Sequence, residues 1–298
     1  MSKATRIRQQ NARERIAAQR AAARRAEIRN RVLIVSGSVL AVIAIVVALV
    51  VVKATSSNKS SGNTSTTGTA LPASVTSKIT GVPASTLNSV GVGSVLSYNS
   101  SPIGPVSGEP ALTSGGKPEM LYIGAEFCPY CAAERWAMAV ALSRFGHFTT
   151  QLHGIHSSST DTDPNTPTLT YLHAGYSSQY LTFTPVENED INHNLLQSPT
   201  SAQQALWVKY DTTDGSQGYP FIDFGNKYVI KAPSYDPATL AGLSWAQVAT
   251  DLQNPSSAVA KAADGTANLI TAAICKMTGG QPASVCTSSG VVQASAHL

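Results

Sequence analysis

The chain has 298 residues, room for one sizeable domain with extensions. Charged residues make up only 13% and Ser, Thr, Gly and Ala abound, which is the composition of an exported protein. The net charge of +4 is divided: residues 1–31 hold ten Lys or Arg against two Glu, whereas from Ser60 onward nine Lys or Arg face fifteen Asp or Glu, which excludes reading the body as basic.

Residues 1–31 form a basic tail, expected to be helical near a membrane. It reads either as a topology signal or as a binder of anionic lipid, at about 1 kcal/mol per basic residue. No nucleic-acid motif accompanies the charge, and no nucleic acid is expected as a partner. Residues 32–52, VLIVSGSVLAVIAIVVALVVV, are 21 residues without a charge. At ~1.5 Å per residue they cover a hydrocarbon core of ~30 Å. The arginines before them place the tail in the cytoplasm and the rest outside. A cleaved signal peptide is the competing reading, but the run is too long and no small-x-small cleavage site follows. Residues 53–70, rich in Ser, Thr and Gly, form a flexible linker. Asn58, Asn63 and Asn99 head Asn-x-Ser/Thr triplets, which matter only in a host that glycosylates.

The body, 71–298, is expected to be the extracytoplasmic domain. Leu71–Pro118 has weak periodicity: a short helix at Pro83–Val90, a strand at Gly93–Tyr98, then loops. Next, Met120–Gly124 is an apolar run of buried-strand type. Ala132–Phe145, rich in Ala, Leu and Met without internal Gly or Pro, predicts a helix. Cys128-Pro129-Tyr130-Cys131 lies at the turn between them. A cysteine at a helix N-terminus has a lowered pKa and becomes an attacking thiolate. Pro129 suits the first helical position. Cys131, one turn on, can resolve a mixed disulfide. An inert disulfide or half a zinc site is the bland alternative.

GAEFCPYCAAERWA resembles the strand–motif junction of the thioredoxin-like superfamily, with the CPYC string known from glutaredoxins. It is similar to a membrane-anchored microbial family of that kind whose function is unassigned. The resemblance implies an α/β, thioredoxin-like fold; the residues themselves add one transmembrane helix before it, an inserted β-rich segment and a C-terminal helical extension. It also implies a cis-proline facing the motif, for which Pro220 stands in the matching place, with the Tyr219 backbone pairing an extended substrate. The buried acid that many thioredoxins keep six residues before the first Cys is replaced here by Tyr122. Glu126 and Glu134 are expected to be exposed. Acidic neighbours raise a thiol pKa and Arg135 lowers it, so the balance is open. Pro233-Ser234-Tyr235-Asp236 does not reproduce the glutathione-binding turn of glutaredoxins, so glutathione is not expected.

Further on, Phe148–His156, Thr168–His173 and Gln179–Pro185 read as strands, with the insertion spanning Ser157–His193. His147, His153, His156 and His173 cluster in sequence, but no helical His-x-x-x-His makes a metal site of them. Ser201–Tyr210 reads as a helix capped by Thr200 or Ser201. Strands follow at Phe221–Phe224 and Lys227–Ile230, joined by Gly225-Asn226. Helices are expected at Ser244–Leu252, Ser256–Ala262 and Thr266–Thr278. Cys275 and Cys286 flank a turn and are expected to form a structural disulfide; a second redox pair that relays electrons, or a four-cysteine zinc site, are the alternatives.

The expected activity is thiol–disulfide exchange with protein thiols, without cofactor or metal. Cys128 would attack, Cys131 resolve, and Pro129, Tyr130, Tyr219 and Pro220 form the substrate surface. A membrane redox partner is a further expectation. The alternative is a cell-surface binding or scaffolding module whose cysteines are structural.

Overall fold

The computed structural model describes residues 68–211 and 217–298. The basic tail, the apolar span at 32–52 and the linker up to residue 67 lie outside the described residues. Among the described residues no helix is long and apolar enough to cross a membrane.

In chain order the elements are β1 (Thr69–Ala70), α1 (Ala73–Thr80), α2 (Ala84–Val90), α3 (Val95–Tyr98), β2 (Gly104–Pro105), β3 (Thr113–Ser114), β4 (Lys117–Gly124) and α4 (Pro129–Leu142). Then come β5 (Gly146–Phe148), β6 (His153–His156), β7 (Pro167–Thr170), β8 (Tyr176–Ser178), β9 (Thr182–Glu187) and α5 (Ser201–Tyr210). The remainder is β10 (Phe221–Phe224), β11 (Tyr228–Ile230), a 3-10 turn (Pro237–Leu240), α6 (Trp245–Asp251), α7 (Gly265–Met277), α8 (Ala283–Cys286) and α9 (Ser289–Ser295).

Strand β4 is the centre of the main sheet. It pairs antiparallel with β10 and parallel with β9, and β10 pairs antiparallel with β11. Its side chains alternate between two cores, as the period of two requires. Met120 and Tyr122 join the large core that holds α4 and α7. Leu121 and Ile123 join a smaller one with Trp207 and Tyr210 of α5. Helices therefore cover both faces of the sheet, which is why β4 reads as a continuous apolar run. Gly225 and Asn226, at φ +67° and +57°, make the tight turn between β10 and β11 that such residues favour.

Helix α4 is buried along almost its whole length. Ala-rich faces let it pack against the sheet on one side and α7 on another. The inserted segment covers it further: the Trp136 indole donates to the Pro167 carbonyl at 2.9 Å, and the Thr168 hydroxyl to the Ala132 carbonyl at 2.8 Å.

Several elements differ from the sequence reading. Gly93–Tyr98 is not a strand. Gly93 turns with φ +54°, the Ser94 N–H bonds the Lys261 carbonyl at 3.0 Å, and Val95 is buried in a single helical turn. Phe148–His156 is two strands, not one. Strand β5 pairs with β8, and β6 pairs with β1 and β7, so the chain changes partners between them. Thr168–His173 ends early: β7 stops at Thr170, the Tyr171 N–H bonds the Glu187 carboxylate at 2.9 Å, and His173 turns with φ +63°. The strand expected at Gln179–Pro185 runs Thr182–Glu187 and belongs to the main sheet rather than to an insertion. Ser256–Ala262 and Thr266–Thr278 are not separate: helix runs through Gly265 by way of a π segment, Ala260–Asp264.

Candidate functional site

Strand β4 delivers Ala125 to Phe127 to the N-terminus of α4, and Cys128 is the N-cap. Its Sγ accepts the Cys131 N–H at 3.2 Å, so the sulfur occupies the place of a capping oxygen. Pro129 fills the first helical position. The two cysteines are free thiols. They pack with Ala125 in a small cluster edged by Phe127, Tyr130 and Tyr219.

The loop before β10 closes the other side. The Tyr219–Pro220 peptide bond is cis. The Tyr219 carbonyl lies 3.9 Å from the Cys128 sulfur. The Tyr219 hydroxyl donates to Asn188 and, at 3.2 Å, to Glu189, which ties this loop to the segment after β9. Cys128 and Cys131, expected to carry the exchange, and Pro129, Tyr130, Tyr219 and Pro220, expected to form the substrate surface, thus share one place. The two cysteines are well covered: Cys128 is 4% exposed and Cys131 is fully buried.

Cys275 and Cys286 are joined by a disulfide. They belong to the large core or its margin, apart from the cluster around Cys128. Among the described residues no group of three metal-ligating side chains occurs. His156 instead packs against Trp245 with the rings tilted at 39° and their centres 4.9 Å apart.

The electrostatics differ from the expectation. Glu126 and Glu134 are buried, not exposed. Glu126 is drawn in because its backbone N–H bonds the Glu189 carbonyl at 2.8 Å and the Thr170 hydroxyl donates to its Oε1 at 2.6 Å. Glu134 accepts the Ser234 N–H at 2.6 Å. Burial pushes each carboxyl up to about 7. Behind the cysteines, Arg135 makes a two-pronged ion pair with Glu187, at 3.0 and 2.6 Å, with both side chains fully buried. Tyr122, which takes the place of the acid in the resemblance, has its ring edge-on to Tyr171 and the Arg135 guanidinium over its face.

These surroundings separate the two thiols. Burial opposes the Cys128 thiolate, but the Cys131 thiol and N–H, the Arg135 charge and the Tyr130 N–H together hold Cys128 below its ordinary value. Burial, followed by the bond to Cys128 and its charge, pushes Cys131 well above the usual range.

Sequence reasoning missed Glu187, Tyr171, Thr170 and the His193 ring, which packs tilted against Phe127 with ring centres 3.8 Å apart. All reach the site through pairings distant in sequence, so no local pattern marks them. Glu134-Arg135 did carry a signal: two charges inside an otherwise apolar helix are seldom there without partners.

What these observations define is an α/β protein with a covered Cys-x-x-Cys at a helix N-terminus beside a cis-proline. Over residues 106–276 the chain matches the family described as a domain of unknown function, DUF929, and it belongs to that family. No curated protein and no solved structure matches it.

Proposed function

We propose that the protein is a membrane-anchored, extracytoplasmic thiol–disulfide oxidoreductase of thioredoxin-like fold. The observation that carries this reading is the Cys128 sulfur at the N-cap of α4, accepting the Cys131 N–H and facing the Tyr219 carbonyl beside a cis-proline. The order β9-β4-β10-β11, with one parallel pair and helices on both faces, supports the thioredoxin-like assignment. The apolar segment 32–52 supports the anchor, and its flanking arginines the orientation.

In this reading the Cys128 thiolate, favoured over Cys131 by the hydrogen bonds it accepts, exchanges with a protein thiol or disulfide. Cys131, held one turn away, closes or opens the intramolecular bond. The Tyr219 carbonyl offers an acceptor to an extended substrate backbone. Phe127, Tyr130 and Tyr219 form the half-buried rim that a substrate meets first.

Trapping tests it. Cys131→Ala should accumulate mixed disulfides through Cys128, and Cys128→Ala should abolish both trapping and turnover. A Cys131→Ala protein that captures no partner under oxidising conditions would sink the proposal.

One observation favours a second reading, a binding or scaffolding module: the cysteine pair is covered. The reduction potential separates the two. A pair that exchanges readily above about −300 mV is redox-active, whereas a slow pair below that is structural.

A further inference from the structure

A buried ion pair lies behind the cysteines. Arg135 sits one helical turn past Cys131, on the same face of α4. Its Nη2 donates to the Ala125 carbonyl at 2.8 Å, and the same carbonyl takes the Cys128 N–H at 3.3 Å. Nη1 is buried and has no hydrogen-bond partner among the described residues. Glu187 grips Nε and Nη2, and is itself fixed by the Tyr171 N–H at 2.9 Å. The Tyr171 hydroxyl returns to the Arg135 carbonyl at 2.8 Å. A fully buried ion pair is weak evidence for stability, because desolvation offsets most of the attraction. Its place, against the carbonyl that touches the Cys128 backbone, calls for another explanation.

We propose that Arg135, held by Glu187, is a positioning residue that keeps a positive charge behind Cys128, stabilises the reduced form of the pair, and thereby makes the Cys128–Cys131 disulfide an oxidant of protein thiols. The last step rests on the oxidoreductase reading; the charge effect on Cys128 does not. The low Cys128 thiol pKa, to which Arg135 contributes, agrees with it. A reduced form stabilised in this way raises the potential of the disulfide.

The reaction balances within the pair and its substrate. A substrate thiolate attacks Cys128 Sγ, the Cys128–Cys131 bond breaks, and Cys131 leaves and takes up a proton. The second substrate thiol loses its proton and attacks the substrate sulfur of the mixed disulfide. Cys128 leaves as a thiolate. Two electrons pass from the substrate thiols to the cysteine pair.

The other titratable or charged groups around the pair are Tyr122 of β4, Glu126, Tyr130, Tyr171, Tyr219, Glu189 with Asp190 after β9, and His193, whose Nδ1 lies 3.5 Å from the Glu189 carboxylate. Glu126 ionises near pH 7. The test is therefore made in full-length protein carrying Glu126→Gln, with Cys275 and Cys286 followed separately. Two quantities are read: the pH midpoint of Cys128 alkylation by iodoacetamide, and the equilibrium of the pair with glutathione buffers.

Glu187→Gln leaves the guanidinium unneutralised and should move the alkylation midpoint to lower pH. Arg135→Met together with Glu187→Gln should move it to higher pH and make the disulfide about tenfold harder to reduce, ~30 mV. Arg135→Lys should stay closer to the parent than the double variant does. A merely structural role would not give opposite signs. A folded double variant with the parental midpoint and potential overturns the proposal. If the double variant does not fold, a Glu187→Gln midpoint that is unchanged or higher overturns it equally. Shifted midpoints without any exchange with protein thiols would keep the charge effect and sink the oxidoreductase reading. Exchange with unmoved midpoints would do the reverse.

Discussion

Asp264 is buried in the π segment, and neither carboxyl oxygen has a hydrogen-bond partner among the described residues. Burial alone pushes it to about 8. An unfolded Asp titrates near ~3.9, so the folded protein binds the extra proton between those values. The contribution of Asp264 is therefore fully present below about pH 4 and is lost as pH rises toward 8, at roughly 1.4 kcal/mol per unit. Glu126 and Glu134 act in the same direction up to about 7. Urea midpoints should thus fall between pH 4 and 8, and Asp264→Asn should flatten that fall; a parental slope in the variant would count against the protonated buried acid. None of this was legible from composition. Cys128, Cys131, Tyr219 and Pro220 could be placed because motif spacing is local. The burial of Glu126 is set by Thr170 and Glu189, which β7 and the segment after β9 bring to it from more than forty residues away.

Elements with their own start and stop signals were read well. Helix α5 begins at Thr200, whose hydroxyl takes the Gln203 N–H at 3.3 Å while Gln203 returns to the Thr200 N–H at 2.8 Å. Such a reciprocal box is visible in the sequence, as is the one from Ser244 to Gln247 at α6. Strand ends that depend on a partner were not readable, as in Phe148–His156, where two ladders divide one stretch. The gap left between Ser256–Ala262 and Thr266–Thr278, where Gly265 stands, fails for another reason. Gly265 is a contact rather than a break: a Cβ there would come within 2.6 Å of the Val92 carbonyl. The helix passes through it so that the 92–95 turn can lie against the backbone. Gly265→Ala should consequently destabilise by about 1–3 kcal/mol, although Ala is the better helix former. Denaturant unfolding checks this, and a neutral or stabilising result would mean that the turn moves away freely.

At the scale of the whole molecule, the cysteines divide the labour by location. The Cys128 cluster lies at the end of β4, where the sheet feeds α4 and the β9 and β10 loops meet. The Cys275–Cys286 bond links α7 to α8, eleven residues apart, at the margin of the large core. Closing a loop of that size restricts the unfolded chain and should be worth about 2–4 kcal/mol. Helix α7 carries Leu269, Ile270 and Ile274 in that core, so loosening its end weakens the layer that backs α4. Replacing both cysteines by Ser should therefore lower the urea midpoint and the melting temperature, while Cys128 alkylation and substrate trapping proceed as in the parent. An electron relay makes the opposite claim. In that case a double Ser variant that folds, measured at a temperature where it stays native, would still form one round of mixed disulfide but would fail to turn over. The two outcomes differ in whether the loss follows unfolding or follows turnover, and stability and trapping measured on the same sample tell them apart.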